Sequence, residues 1–199
     1  MEMILSIVPV GRIDSDILCR LQHDLSMVFS VEPQIVEPLP EPSYAFDSER
    51  NQYSAESILE VITSQAQDDT PKRILGVVNG DLYVPELNFV FGVALGKTTL
   101  ISIARLRQEF YGLPVNNGLF HKRILTEAVH ELGHSYGLKH CMDPDCVMFF
   151  SRTLLNTDRK GSDFCGRCNT KMHRLQSAAS PSEKQDWMPF SPLSLTFVS

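Results

Sequence analysis

The residues able to do chemistry crowd into one run, His130-Glu131-Leu132-Gly133-His134-Ser135-Tyr136-Gly137-Leu138-Lys139-His140, which reads H-E-x-x-H-x-x-G-x-x-H. Each helical residue turns the chain by about 100°, so His130 and His134 stand about 40° apart on one face, one turn along. Two imidazoles so placed can share a tetrahedral zinc ion. Glu131 falls beside that pair, where it can reach a water on the metal without ligating the metal itself. A straight helix would carry His140 about 9 Å beyond His134, out of reach. Gly137 removes that obstacle, because glycine ends a helix in the left-handed conformation without a Cβ clash. The chain turns back there and His140 can close the site as third ligand. Three neutral histidines leave a fourth position open for water, the arrangement of a catalytic zinc rather than a structural one. Glu131 then has the place of general base and, afterwards, general acid.

Directly after the third histidine the chain changes ligand type. Of its five cysteines, four are clustered: Cys141 and Cys146 as C-x4-C, Cys165 and Cys168 as C-x-x-C. Disulfides would need an oxidising compartment, for which nothing in the sequence speaks, so one tetrathiolate zinc fits better than bridges or free thiols. Cys19, flanked by Leu18 and Leu21 on an expected helix, reads as a small core residue. Met148, two residues after Cys146, has an ordinary reading as core.

The full run, HELGHSYGLKHC-x4-C-x-M-x16-C-x-x-C from residue 130 to 168, resembles the archaemetzincins, a branch of the metzincin metallopeptidases. The resemblance implies a catalytic zinc on His130, His134 and His140 with Glu131 as base. It also implies a second, structural zinc on Cys141, Cys146, Cys165 and Cys168, and Met148 as the methionine of the Met-turn beneath the catalytic metal. In metzincins an antiparallel edge strand lies above the cleft and binds extended substrate. By order in the chain, residues 88 to 93 resemble it, which puts Asn88, Phe89, Val90, Phe91 and Gly92 against the peptide. The physical basis is that a free strand edge offers main-chain hydrogen bonds to any peptide; the plainer reading is an ordinary edge or core strand.

The elements that must hold these groups are legible in outline. Residues 3 to 10 form a continuously apolar strand, buried on both faces. Asp14 or Ser15 caps a helix to about Ser30 whose Ile17, Leu18, Leu21, Leu25, Val28 and Phe29 keep a helical period. A short strand at Gln34-Ile35-Val36 follows, then a proline-rich loop from Glu37 to Asn51. Ser54 or Ser57 opens a helix to about Gln67, and Arg73 to Asn79 is a further strand. Leu87 to Leu95 and Thr98 to Leu106 form a hairpin around Gly96-Lys97. Asn116 or Asn117 caps the active-site helix, which runs to about Tyr136. The order strand, helix, strand, helix, strand predicts right-handed crossovers and a twisted, mostly parallel sheet closed by an antiparallel edge strand. The fold class is therefore α/β, a metzincin-like zincin domain with backing and active-site helices. The segment 138 to about 176 is polar and expected to lack the apolar surface to hold itself together, the usual reason for a structural zinc. Residues 92 to 98, GVALGKT, are one residue short of a phosphate loop and precede a strand, so that reading is set aside. His23, His121 and His173 lack ligand spacing and read as surface residues.

Composition bounds the rest. The chain has 199 residues, 43% of them hydrophobic, with a net charge of −6. That is one catalytic domain, 1–199, divided into an N-terminal sub-domain 1–137 and a C-terminal sub-domain 138–199. The negative charge argues against a nucleic-acid or acidic-membrane surface. No apolar run approaches the roughly 18 residues of a membrane span. The N-terminus lacks the basic flank of a signal peptide, so a cytoplasmic location is expected; a monomer is expected as well. The function these residues point to is zinc-dependent hydrolysis of peptide or protein substrates. The alternatives are a catalytically weak peptide-binding zinc protein and a structural zinc-binding interaction module, although a module has no need of Glu131 between two histidines. Tyr83, Tyr111 and Tyr136 are candidates by type alone for steadying an oxyanion. Two zinc ions per chain are expected, with unequal lability, because the cysteine site has no open position while the histidine site does. Metal analysis after mild chelation should find about one ion left per chain; loss of both together would contradict two separate sites.

Overall fold

A computed structural model describes residues 4–65, 72–85, 87–151, 153–178 and 196–198. Its main sheet grows outward from the most apolar strand, β1 (Ile4–Val10). On one side β1 pairs in parallel with β2 (Gln34–Ile35), and on the other with β5 (Lys72–Val78). β8 (Thr98–Ser102) continues the parallel set, and β7 (Gly92–Leu95) adds antiparallel to it. A last strand, β9 (Thr196–Val198), pairs antiparallel with β7, so the order is β2-β1-β5-β8-β7-β9.

Alternation along β1 decides which helix covers which face. Leu5 and Ile7 enter the core shared with α1 (Ser15–Phe29) and α3 (Asn117–Ser135), whereas Val8 and Val10 enter the core shared with α2 (Ala55–Gln65). β5 repeats this, with Leu75 and Val77 on the first face and Ile74 and Val78 on the second. The two crossovers leave β1 and β2 in opposite directions across the sheet, and α1 and α2 accordingly lie on opposite faces. α1 is capped by Asp14, whose side chain accepts from the Asp16 amide at 2.9 Å.

Four expectations change. The loop from Glu37 to Asn51 carries structure: a 3-10 turn at Ser43–Ala45, then β3 (Phe46–Asp47), which with β4 (Gln52–Ser54) and β6 (Leu82–Tyr83) makes a small second sheet. Strands of two or three residues have no periodicity to read. The hairpin is shorter than expected, with Gly92 opposite Ile101 and Leu95 opposite Thr98 around Gly96 at φ 58°. Cys19 is exposed; the inward stripe of α1 runs through Ile17, Leu18, Leu21 and Leu25, and Cys19 lies to its side. The segment after residue 138 is not starved of apolar surface. Leu138, Cys141, Cys146, Val147, Met148 and Met172 belong to the same core as α1 and α3. Met172 lies on α5 (Gly166–Ala178), which follows α4 (Leu154–Arg159). No helix among the described residues is long and apolar enough to cross a membrane. The expected end of α2 at Gln67, and most of the tail after residue 178, lie outside the described residues.

β7 and α3 pack so closely that only glycine fits at their crossing. A Cβ on Gly92 would stand 2.7 Å from Glu131 Cγ and 2.9 Å from its Oε1, both well inside contact distance. Gly92→Ala must therefore push the helix or the Glu131 side chain away. Overpacking of this kind is expected to cost about 1–3 kcal/mol of stability, read as a lowered urea midpoint.

Candidate active site

The active-site helix begins at Asn116, whose side chain accepts from the Leu119 amide at 3.0 Å. Its second half is buried on every side, charged residues included. Arg123 satisfies its guanidinium with two bonds to Asp158, at 2.6 and 2.7 Å, and one to the Leu106 carbonyl at 2.9 Å. The end is built as the sequence required. Gly137 takes φ 90°, its amide donates to the His134 carbonyl at 2.8 Å, and the Leu138 amide donates to the Gly133 carbonyl at 3.0 Å. That pair of bonds is a Schellman motif, and it turns the chain so that His140 faces back toward the helix.

The ligand-capable ring atoms of His130, His134 and His140 all lie within 4.8 Å of one another. His130 Nε2 and His134 Nε2 are 3.1 Å apart. Two nitrogens on one tetrahedral zinc, each at about 2.0–2.1 Å, are separated by about 3.3 Å, so the pair fits that ion. Each helix histidine turns its other nitrogen to a backbone carbonyl: His130 Nδ1 to Val147 O at 2.7 Å, His134 Nδ1 to Leu138 O at 2.8 Å. A carbonyl only accepts, so both rings must carry their proton on Nδ1 and present a bare Nε2. Burial holds these imidazoles neutral. His130 sits well below the usual histidine range, first through burial and then through the nearby Lys160 charge. Burial likewise pushes His134 down to about 4, and the partial burial of His140 lowers it too, although its outer side is exposed.

Glu131 is fully buried, and neither carboxylate oxygen has a hydrogen-bond partner among the described residues. Burial raises it well above the ordinary carboxyl range; Glu127, one turn earlier, adds to the rise and Lys160 opposes it. A dication on the three imidazoles would favour the ionised form.

The four cysteine sulfurs also lie within 4.8 Å of one another. Cys141 and Cys165 are 3.8 Å apart, far beyond a disulfide's 2.05 Å or so and close to the roughly 3.8 Å that two thiolates take on one tetrahedral zinc. The Cys165 amide donates to Cys146 Sγ at 3.3 Å and the Arg167 guanidinium reaches Cys141 Sγ at 4.0 Å, so both sulfurs have donors on their outer side. The backbone amide of Cys168 is the largest influence holding the Cys165 thiol down at about 7, while burial raises Cys146 and Cys168. Met148 is fully buried, with its sulfur packed against Gly133 of α3, between the two helix histidines. The Cys141 amide donates to Met148 O at 2.8 Å, which ties the residue after the third histidine to that turn.

Sequence reading missed other groups at the site. Lys160 and Glu127 are both fully buried, with Lys160 Nζ 3.3 Å from His130 Nδ1 and 3.5 Å from Glu127 Oε1. Thr157 donates to the same Glu127 oxygen at 2.9 Å. Only Glu127 left a trace, three residues before His130 on the same face. The tyrosine candidates are otherwise engaged. Tyr83 bonds Asp47 in the small sheet, and Tyr136 stacks on Phe29 under the Arg73 guanidinium; Tyr111 is exposed in a 3-10 turn at Gln108–Tyr111. Of the residues expected to face substrate, Gly92 alone lies in β7. Val90 bridges to Leu82 and Phe91 is in the core, while the Asn88 carbonyl accepts from Gln52 at 2.8 Å. The outer edge of β7 is not open: β9 pairs with Gly92, Val93 and Ala94.

The mixed sheet, the helix with its two histidines and the returning third define a zinc-dependent peptidase, and comparison agrees. Residues 31–174 match the model of Peptidase family M54. The archaemetzincin of Pyrococcus abyssi is 41% identical over 175 residues, 84% of this chain and 93% of that protein. The crystal structure of a zinc-dependent peptidase from Methanocorpusculum labreanum superposes with a TM-score of 0.77 at 31% identity, covering 84% of this chain and 99% of that one. For the archaemetzincin of Methanopyrus kandleri the TM-score is 0.75 at 37% identity, over 88% and 96% of the two chains. The chain belongs to peptidase family M54, the archaemetzincins, and is a zinc metallopeptidase.

In the metal-free protein the buried Glu131 has a cost with a definite pH dependence. Its folded pKa is raised, so the folded state holds its proton more tightly, and stability falls as pH rises above the unfolded value of about 4.5. Metal-free Glu131→Gln should therefore be more stable than the parent at pH 7, with the gain shrinking toward pH 4.5. Urea midpoints of the two proteins across that range measure it; a variant weaker than the parent at pH 7 would contradict the assignment.

Proposed function

We propose that this chain hydrolyses peptide bonds with Glu131 as general base, at a zinc held by His130, His134 and His140, while a second zinc on Cys141, Cys146, Cys165 and Cys168 serves structure alone. The observation that carries the reading is the Glu131 carboxylate, buried and without a partner among the described residues, next in the chain to one of three imidazoles whose ligand-capable nitrogens converge. An unpaired buried carboxylate is expensive and is explained by a task it performs rather than by packing. Zinc, when bound there, would supply Lewis-acid chemistry by acidifying water and polarising a carbonyl oxygen. Glu131 removes the proton of the attacking water, and the same carboxyl then delivers that proton to the leaving amine. Its raised proton affinity suits a group that must both take and return one. Val147 O and Leu138 O hold two of the rings in the ligating tautomer throughout.

An extended peptide lies along the outer edge of β7 at Gly92 to Ala94, where main-chain bonds hold it without regard to side chains. What supports this is β9, an antiparallel strand of the chain already paired with that edge, next to the glycine that touches Glu131. Peptide and β9 cannot occupy it together. The clustered thiols, at zinc spacing rather than disulfide spacing, fit a reducing compartment such as the cytoplasm.

Glu131 is not a ligand in this reading, so Glu131→Gln is expected to keep both metals while turnover of a mixed peptide library falls by about 10²- to 10⁴-fold. Cleavage by the variant at the parent rate would remove Glu131 as base. Failure of the zinc-loaded parent to cleave any peptide would favour the weak peptide-binding alternative.

A further inference from the structure

Lys160 is one of the largest side chains without solvent exposure, and it lies directly behind a histidine of the zinc site. Taking an ammonium group and a carboxylate out of water costs several kcal/mol per ion, and a buried pair seldom repays this better than apolar residues of the same volume would. Stability therefore does not explain why Lys160 and Glu127 are both fully buried. Their contacts suggest what does. Lys160 follows α4. Its ammonium lies 3.5 Å from Glu127 on α3, donates to Phe149 O at 3.4 Å in the turn after Met148, and comes within 3.3 Å of His130 Nδ1. Because Nδ1–H is committed to Val147 O at 2.7 Å, it cannot accept from the ammonium; Lys160 instead closes off the back edge of the ring while its protons serve Glu127 and Phe149. Glu127 is in turn fixed by Thr157 of α4. Three elements that share no strand meet at this one cation: the active-site helix, the turn beneath it, and α4.

We propose that Lys160, paired with Glu127, is the positioning residue for the His130 ligand: it locks the active-site helix to the Met148–Phe149 turn and keeps the His130 ring from swinging off its zinc-binding direction. This rests on the reading of His130 as a zinc ligand. Supporting contacts of this kind are typically worth 10- to 100-fold in metal affinity.

The test uses cobalt(II), whose visible bands report the histidine site while zinc stays on the cysteines. Lys160→Met keeps length and volume but removes the charge. It is expected to weaken cobalt binding about 10-fold or more, measured by chelator competition, with altered band intensities. The double variant Lys160→Met/Glu127→Met separates positioning from simple charge pairing. It leaves neither member of the pair as a lone buried ion, so its urea midpoint should return to near or above the parent value while cobalt affinity stays low. If affinity recovers together with stability, the pair is a structural ion pair only and the proposal falls. It falls equally if Lys160→Met binds cobalt within about 2-fold of the parent, well below the expected supporting-contact effect. Should Lys160→Met not fold, the double variant decides alone. His130→Ala distinguishes the two levels. If it loses the cobalt bands while Lys160→Met keeps parent affinity, positioning alone is wrong; if His130→Ala itself binds like the parent, the ligand assignment fails and the positioning role with it.

Discussion

Two backbone carbonyls, Val147 O and Leu138 O, set the chemistry of this protein by deciding which nitrogen each helix histidine offers. An imidazole has two nitrogens and two neutral tautomers, and a zinc site needs one of them every time. Both carbonyls belong to backbone the helix itself does not contain. Leu138 lies just past the turn made by Gly137, and Val147 lies immediately before Met148. Helix end, Met148 turn and histidine tautomer are thus one construction, and none of the three can shift without the others.

The same construction explains why glycine recurs where it does. Gly133 admits the Met148 sulfur against the helix between the two histidines, and Gly92 admits β7 against Glu131. Side chains at either point would hold the turn or the sheet away from the helix. The turn would then no longer carry Val147 O to His130, and the edge of the sheet would no longer lie beside Glu131. Close approach, more than any single bond, lets a sheet and a short C-terminal segment meet on one helix.

Burial of charge is the other organising theme. Arg123, Glu127, Glu131 and Lys160 all lie inside, the first three on the active-site helix and Lys160 against it. Arg123 is paid back by Asp158 and a carbonyl, and Lys160 and Glu127 answer one another, whereas Glu131 is left without a partner. A low-dielectric interior strengthens each pairing and penalises each orphan. Among these buried groups of the described residues, the carboxylate left without a partner is the one that the histidines flank in sequence.

Much of this was determined by local spacing. The four-residue interval between His130 and His134, the glycine at 137 and the intervals among the cysteines are short-range facts, enforced by helix geometry and turn chemistry, so sequence alone sufficed to assign them to two clusters. The continuous apolar run of β1 and the stripe on α1 were legible for the same reason. What depended on distant segments meeting was not. Lys160 stands 30 residues from His130 and resembles any surface lysine until α4 folds under the helix. β3, β4 and β6 are too short to show a period, the exposure of Cys19 depends on which face of α1 meets α3, and the pairing of β9 with β7 joins segments about a hundred residues apart. Local spacing determined the two clusters of ligand-capable residues; only tertiary packing decided what stands behind them, because a buried charge or a covered strand edge is a property of neighbours brought together by the fold.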